Sequence, residues 1–284
     1  MAGFDWYQAT VPAACADVAE ALHGFAGAEE WRHERGHHGY GSTAVLEGLD
    51  GPALRIWHGG SHVHPHVVIT GELAQAGAEL IRGSFPVHFV TRADAREDFD
   101  DPGAFDRILP ELLRVAGEHR LKVDTRGDHL LTKEGRTVYL GAPSSAARQR
   151  LYDKAAELRS KFAADPVRLA GVPEHLTRLE AQVRPQTREA RERFATIEPL
   201  EVMGSSAWLR EVWRSVVGLE LDPVQVSKPW RQSDDDRAYA YCLAQYGGLF
   251  RRRCEDHGSW AAVGAQIGYD LGEREKAKRR GRGG

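Results

Sequence analysis

The chain has 284 residues, 42% of them apolar and 28% charged, with a formal net charge of −3; this is the balance of a folded soluble protein with one large domain or two ordinary ones and a sizeable core. The near-neutral total excludes coating of nucleic acid by bulk electrostatics. No run of about 18 apolar residues suggests a membrane span, no basic stretch introduces a signal peptide, and Cys15, Cys242 and Cys254 lack the spacing of a disulfide framework or structural zinc site, so a cytoplasmic protein is expected.

The charge is unevenly spread. Basic clusters occur at 148–161, 178–193, 251–253 and 274–282, while acids gather at 94–106 and 234–236. Arginine dominates the basic set, and its planar fork suits phosphate oxygens, although solvated helix faces would carry similar runs.

In chain order, residues 13–30 carry a weak helical pattern that the Gly-rich stretch "RGHHGYGSTAVLEG" interrupts. Short strands are expected at "AVLEGL" and "ALRIWHGG", and "HVHPHVVITG" alternates up to Gly71, with Pro65 demoting its front to an edge or strand entry. A helix is expected over 72–82. The stretch "PVHFVTRADAREDFD" reads as a strand on which residues 90, 92, 94, 96 and 98 share a face. An amphipathic helix over 104–119 should bend at Pro110, and "RLKVDT" and "RTVYLG" are further strands. "AARQRLYDKAAELRSKF" suits a strand or a helix. "HLTRLEAQVRP" places Leu176, Arg178, Glu180 and Gln182 on one side.

From 186 onward the pattern is helical, broken by a Pro-containing connector at 222–233, and a basic tail from Glu273 is expected to be disordered. The expected fold is α+β: a central antiparallel sheet with helices on one face, followed by a mainly helical C-terminal region. The expected divisions are a catalytic domain over 1–185, a helical region over 186–272 that could recognise DNA, and the tail over 273–284.

Cleavage of a phosphodiester needs a nucleophile, charge neutralisation at the non-bridging oxygens and usually a divalent cation. Asp94 and Asp98 are spaced to reach one cation, Glu180 and His66 could join them, and oxygen donors favour Mg²⁺ or Mn²⁺. Each acid has a plainer alternative: Asp94 in a salt bridge with Arg92, Asp98 exposed near a turn, Glu180 paired with Arg178. His62, His64 and His66 alternate in a way that also suits zinc, but Pro65 disturbs the strand, which leaves His66 as the stronger candidate. Tyr152, flanked by Arg148, Arg150 and Lys154, is either a packed core tyrosine or a nucleophile whose phenol is activated by neighbouring cations. Arg92, Arg148, Arg178 and Arg184 are the expected DNA contacts.

The ordered series "GY.S" (39–42), "WHGG" (57–60), "HVVITG" (66–71), "VTRADAREDFD" (90–100), "TVYLG.PSS" (137–145), "RLYDKAAE" (150–157) and "LTRLEAQVRP" (176–185) resembles the trans-acting rolling-circle replication initiators of plasmids and filamentous phages, over roughly residues 36–220. The resemblance implies a DNA strand transferase that nicks its own origin and stays joined to the 5′ end. The tyrosine of the family's Arg-x-Tyr-x-Lys stretch falls on Tyr152, with Arg150 and Lys154 beside it. The family's acids fall on Asp94, Asp98 and Glu180. Arg96 stands where an apolar residue is expected, and "TGELAQAG" lacks the usual Gly-Gln-Gly. A hairpin-shaped or single-stranded origin site, a host helicase, a bacterial host and a homodimer complete the expected setting. Two other readings keep their place: a metal nuclease that uses water, and a non-enzymatic DNA-binding regulator.

Overall fold

The computed structural model describes residues 2–28, 30–48, 51–227 and 234–281. Among the described residues ten strands form one sheet: β1 (Gly3–Thr10), β2 (Trp31–Arg35), β3 (Ser42–Gly48), β4 (Gly51–His58), β5 (His66–Thr70), β6 (Phe89–Phe99), β7 (Val123–Arg126), β8 (Thr137–Leu140), β9 (Ala147–Asp153) and β10 (Thr177–Val183). Their order across the sheet is β2-β3-β4-β5-β1-β6-β10-β9-β8-β7, with every pairing antiparallel. The α+β class expected from the sequence is the one observed.

The helices are α1 (Cys15–Ala21), α2 (Ala74–Ser84), α3 (Ala104–Glu118), α4 (Lys154–Lys161), α5 (Pro166–Ala170), α6 (Arg188–Arg193), α7 (Pro199–Val202), α8 (Ala207–Val217), α9 (Asp234–His257) and α10 (Trp260–Gly281). One face of the sheet packs against helices. Phe4, Tyr7, Ala9, Ala93, Ala95, Leu151, Leu179 and Ala181 share a single core with Ala78 and Ile81 of α2, Ile108 and Leu112 of α3, and Leu209 and Trp213 of α8. Burying each large side chain contributes about 1.5–3 kcal/mol. Trp213 also donates its indole N–H to Gln149 Oε1 (3.3 Å) beneath β9.

Two compact units result, residues 1–228 and 229–284. α6, α7 and α8, which the sequence groups with the C-terminal helices, belong to the first unit because their apolar residues close the core under the sheet. In the second unit α9 and α10 pack on each other. Gly258, at φ +79°, lets the chain leave α9 in a left-handed conformation. The segment from Glu273, expected to be disordered, continues α10 to Gly281. Among the described residues no helix is long and apolar enough to cross a membrane.

Two irregularities decide what the other face carries. Between Phe4 and Trp6 the pairing of β1 with β6 shifts, so Asp5 is the extra residue while Phe4 and Tyr7 stay in the core. A second shift pairs Gln8 with Arg92 but Ala9 with Val90, which makes Thr91 the extra residue. This corrects the simple alternation: Val90 turns into the core, whereas Arg92 and Asp94 do not share its face.

Candidate active site on the second face of the sheet

β9 and α4 share the ambiguous stretch around Tyr152. The strand ends at Asp153, whose side chain accepts from Ala156 N and caps α4. Tyr152 is therefore the last outward-facing strand residue and Lys154 the first residue of the helix. Register then assembles the face. Arg178 lies opposite Tyr152 on one side and opposite Asp98 on the other; Glu180 lies opposite Arg150 and Arg96; Gln182 lies opposite Arg148 and Asp94. Glu180 and Asp94 are thus diagonal neighbours, the arrangement in which side chains of adjacent strands still reach each other.

Asp94 and Glu180 are almost wholly enclosed, at 1% and 2% exposure. Arg92 grips Asp94 through two nitrogens, with Nε at 2.9 Å from Oδ1. Burial pushes the Asp94 carboxyl up against the opposing pull of Arg92. Glu180 is pushed well above the ordinary carboxyl range by burial and then by the charges of Asp94 and Asp5, with Arg150 opposing. Its Oε1 accepts from Gln182 Nε2 at 2.8 Å. Its Oε2 has no hydrogen-bond partner and faces Arg150 Nη1 only at 3.6 Å.

Tyr152 is 2% exposed, and Arg150 lies over its ring. Burial first, and Glu180 next, hold its phenol far above the ordinary tyrosine value, so the resting side chain is fully protonated. Lys154 Nζ is 5.7 Å from the ring centroid and donates to Glu157 at 3.0 Å. Tyr139, opposite Arg150 on β8, lies under Arg148, whose Cζ is 3.8 Å from its centroid.

Three expectations change here. Arg178, expected on DNA, is 1% exposed and fully engaged: Nε and Nη2 donate to Asp98 (2.6 and 2.7 Å), and Nη1 donates to Asp5 (2.6 Å). It offers no free fork to a phosphate. Asp98, expected beside Asp94 on one cation, is neutralised by that same fork and by Arg96 at 3.3 Å. His66 is not brought to the acids. It pairs with Thr10 on β1, whereas Asp94 pairs with Trp6, roughly 13 Å further along at about 3.3 Å per residue. Its Nε2 accepts from Gln8 Nε2 (2.7 Å) and its Nδ1–H donates to Thr10 Oγ1 (2.9 Å). Burial, with His62 and Arg191 nearby, lowers its pKa to about 4, which keeps the ring neutral.

Asp5 belongs to the acidic group, and sequence reading missed it because only the bulge in β1 turns it to this face. Among the described residues no three His, Cys, Asp or Glu side chains converge as a preformed cation site. Arg184, half-buried, reaches Pro143 O at 3.5 Å and stands with Arg92 at the border of a broad cleft over β1, β4 and β5.

No family model matches the chain, and no curated protein sequence does. Its fold is similar to that of the rolling circle replication initiator protein from Geobacillus stearothermophilus, with a TM-score of 0.50 and 18% identity over 83% of this chain and 90% of that one. At that identity the likeness is one of fold.

Proposed function

We propose that the protein is a rolling-circle replication initiator that nicks single-stranded or extruded origin DNA with Tyr152 as nucleophile. The observation that carries this reading is the juxtaposition on one face of the sheet of Tyr152, its arginine cover Arg150, and the buried carboxylates Asp94 and Glu180. The fold likeness and the ordered motifs support it.

In the proposed step Tyr152 Oη bonds to the scissile phosphorus while the bond from phosphorus to the 3′ oxygen breaks. The phenol gives up its proton, the departing oxygen gains one as a 3′-hydroxyl, and the 5′ end remains as a phosphotyrosine ester. Ester energy is conserved, so the reverse attack by a 3′-hydroxyl rejoins the strand. Arg150 and Lys154 offset charge on the non-bridging oxygens. Glu180 fits a hard divalent ion, Mg²⁺ or Mn²⁺, through Oε2, a buried acceptor without a partner, and Asp94 would be the second oxygen donor once Arg92, which grips it at rest, turns to the phosphate; such ions commonly take one or two carboxylates together with substrate phosphate. When bound there the ion supplies charge neutralisation at the phosphate.

The test is incubation of the full chain with supercoiled origin-bearing DNA and Mn²⁺, followed by denaturing electrophoresis. A 5′-linked protein–DNA adduct that disappears in Tyr152→Phe supports the reading. Cleavage without an adduct assigns a hydrolytic nuclease, and binding without cleavage assigns a regulator. An adduct that survives in Tyr152→Phe but is lost in Tyr139→Phe moves the nucleophile one strand over. A host helicase and a second copy of the chain remain parts of the proposed setting.

A further inference from the structure

Beside the acids, the same face holds a cleft of about 980 Å³, at the large end for a small-molecule site. Its walls are aromatic rings on a basic background. Tyr40 stacks on His62 with centroids 4.1 Å apart and planes at 21°, and Trp57 stacks on His66 at 5.4 Å and 22°. Tyr40 and Trp57 themselves lie 6.0 Å apart. Arg55, Arg92, Arg184 and Arg191 line the cleft against a single acid, Glu34. The Arg92 guanidinium lies 4.0 Å from the Trp6 ring centroid while gripping Asp94, so one side chain links the cleft wall to the proposed catalytic carboxylates.

The rings are held in place. The loop from Gly36 to Gly41 rests on the loop that follows β4 through backbone contacts only glycines allow. A Cβ on Gly60, at φ +72°, would lie 2.3 Å from Gly39 O, and one on Gly36 would lie 2.1 Å from Tyr40 O. Ser61 N and His62 Nε2 donate to Gly39 O (3.1 Å) and His38 O (2.9 Å). Tyr40 is therefore a fixed platform rather than a loose loop side chain.

We propose that this cleft is a stacking channel for unpaired bases of the strand being nicked, an inference that rests on the functional reading above. Aromatic faces spaced along a basic groove bind single-stranded DNA by stacking, which every base supports, while arginines follow the phosphates. A duplex presents no free base face to Tyr40 or Trp57, so the channel discriminates against paired DNA. With the scissile phosphate at Tyr152, the neighbouring nucleotides run past Asp94 and Arg92 into the cleft.

The test is fluorescence anisotropy of a labelled oligothymidylate, and of a duplex of equal length, with the full chain at fixed salt. Tyr40→Ala and Trp57→Ala should each weaken oligothymidylate binding by roughly fivefold or more, the least expected for one lost stack, and Trp57→Phe should restore most of it. Tyr40 is a loop residue, so its variant keeps the test valid if Trp57→Ala does not fold. Unchanged affinity in both alanine variants overturns the proposal, as does equal wild-type affinity for the duplex. An adduct formed at Tyr152 alongside unchanged oligothymidylate binding sinks the channel alone. Weakened binding in a protein that forms no adduct sinks the strand-transfer reading instead.

Discussion

The Arg150 guanidinium carbon lies 3.6 Å from the centroid of the Tyr152 ring, with its Nε atom buried and without a hydrogen-bond partner. This is a cover that has not found its full set of acceptors, and a phosphate would supply them. Tyr152→Phe keeps the ring and the contact, so the fold and DNA binding should remain while adduct formation on denaturing gels falls to background. Arg150→Met keeps the bulk without the charge and should lower the nicking rate roughly 10²- to 10³-fold, as expected for a lost oxyanion-type contact.

Asp94→Asn and Glu180→Gln should both raise the Mn²⁺ concentration needed for half-maximal nicking, because each removes one anionic donor at nearly constant volume. Asp98→Asn should instead loosen Arg178, its partner, and show as a lower melting temperature with less change in Mn²⁺ dependence. Titration of nicking against Mn²⁺, beside thermal melts, separates the two roles.

Glu180 also makes a prediction about pH in the absence of divalent ions. Its carboxyl keeps a proton in the folded chain that the unfolded chain loses near pH 4.3. Its contribution to stability is complete below about pH 4.3 and declines as pH rises toward the elevated folded value. In EDTA, Glu180→Gln should therefore flatten the fall of melting temperature with rising pH. Parallel curves for wild type and variant would show that this carboxyl is ionised in the fold.

His66 gives the opposite sign. Its folded pKa of about 4 lies below the ordinary value near 6.5, so stability is present above about pH 6.5 and is lost as pH falls toward 4. The full shift corresponds to on the order of 3 kcal/mol. His66→Gln should flatten this acid limb in thermal melts. It should leave the Mn²⁺ requirement for nicking unchanged, since the ring serves Gln8 and Thr10 rather than the acids.

Residues 273–284 hold six basic and two acidic side chains. Truncation after Gly272 should weaken binding to origin and random DNA by the same factor. The slope of log affinity against log salt should flatten by about 0.9 for each lost phosphate contact. Selective loss of origin binding in filter or anisotropy assays would assign sequence reading to this segment.

The periodic parts of the chain were legible in the sequence. Alternation over 92–98 and 178–182 fixes which side chains share the acidic face, and the Asp153 cap explains why a strand and a helix both fitted the stretch around Tyr152. What escaped were the first two strands, β1 and the edge strand β2. β1 lies at the middle of the sheet, yet its displaced residue Asp5 breaks the alternation that would have announced it. The distance of His66 from the acids was hidden for a related reason. Spacing along one strand says nothing of where a neighbouring strand slides, and the β1 register sets His66 beside Thr10 rather than Trp6. The fate of Arg178 was equally hidden, since its second partner comes from β1.

A sheet of ten strands has two free margins, and rows of unpaired amides there are templates for uncontrolled growth. Here the margins are β2 and β7. β2 reads WRHER, with Arg32 tied to Glu34 and Glu47; β7 has four residues, Asp124 and Arg126 among them. A foreign strand adding to either margin would have to desolvate those charges. The broad sheet that sets Tyr152, Asp94, Glu180 and the ring-lined cleft side by side thus carries, at both margins, charges that oppose fibril growth, and the opposition is electrostatic rather than a matter of shape.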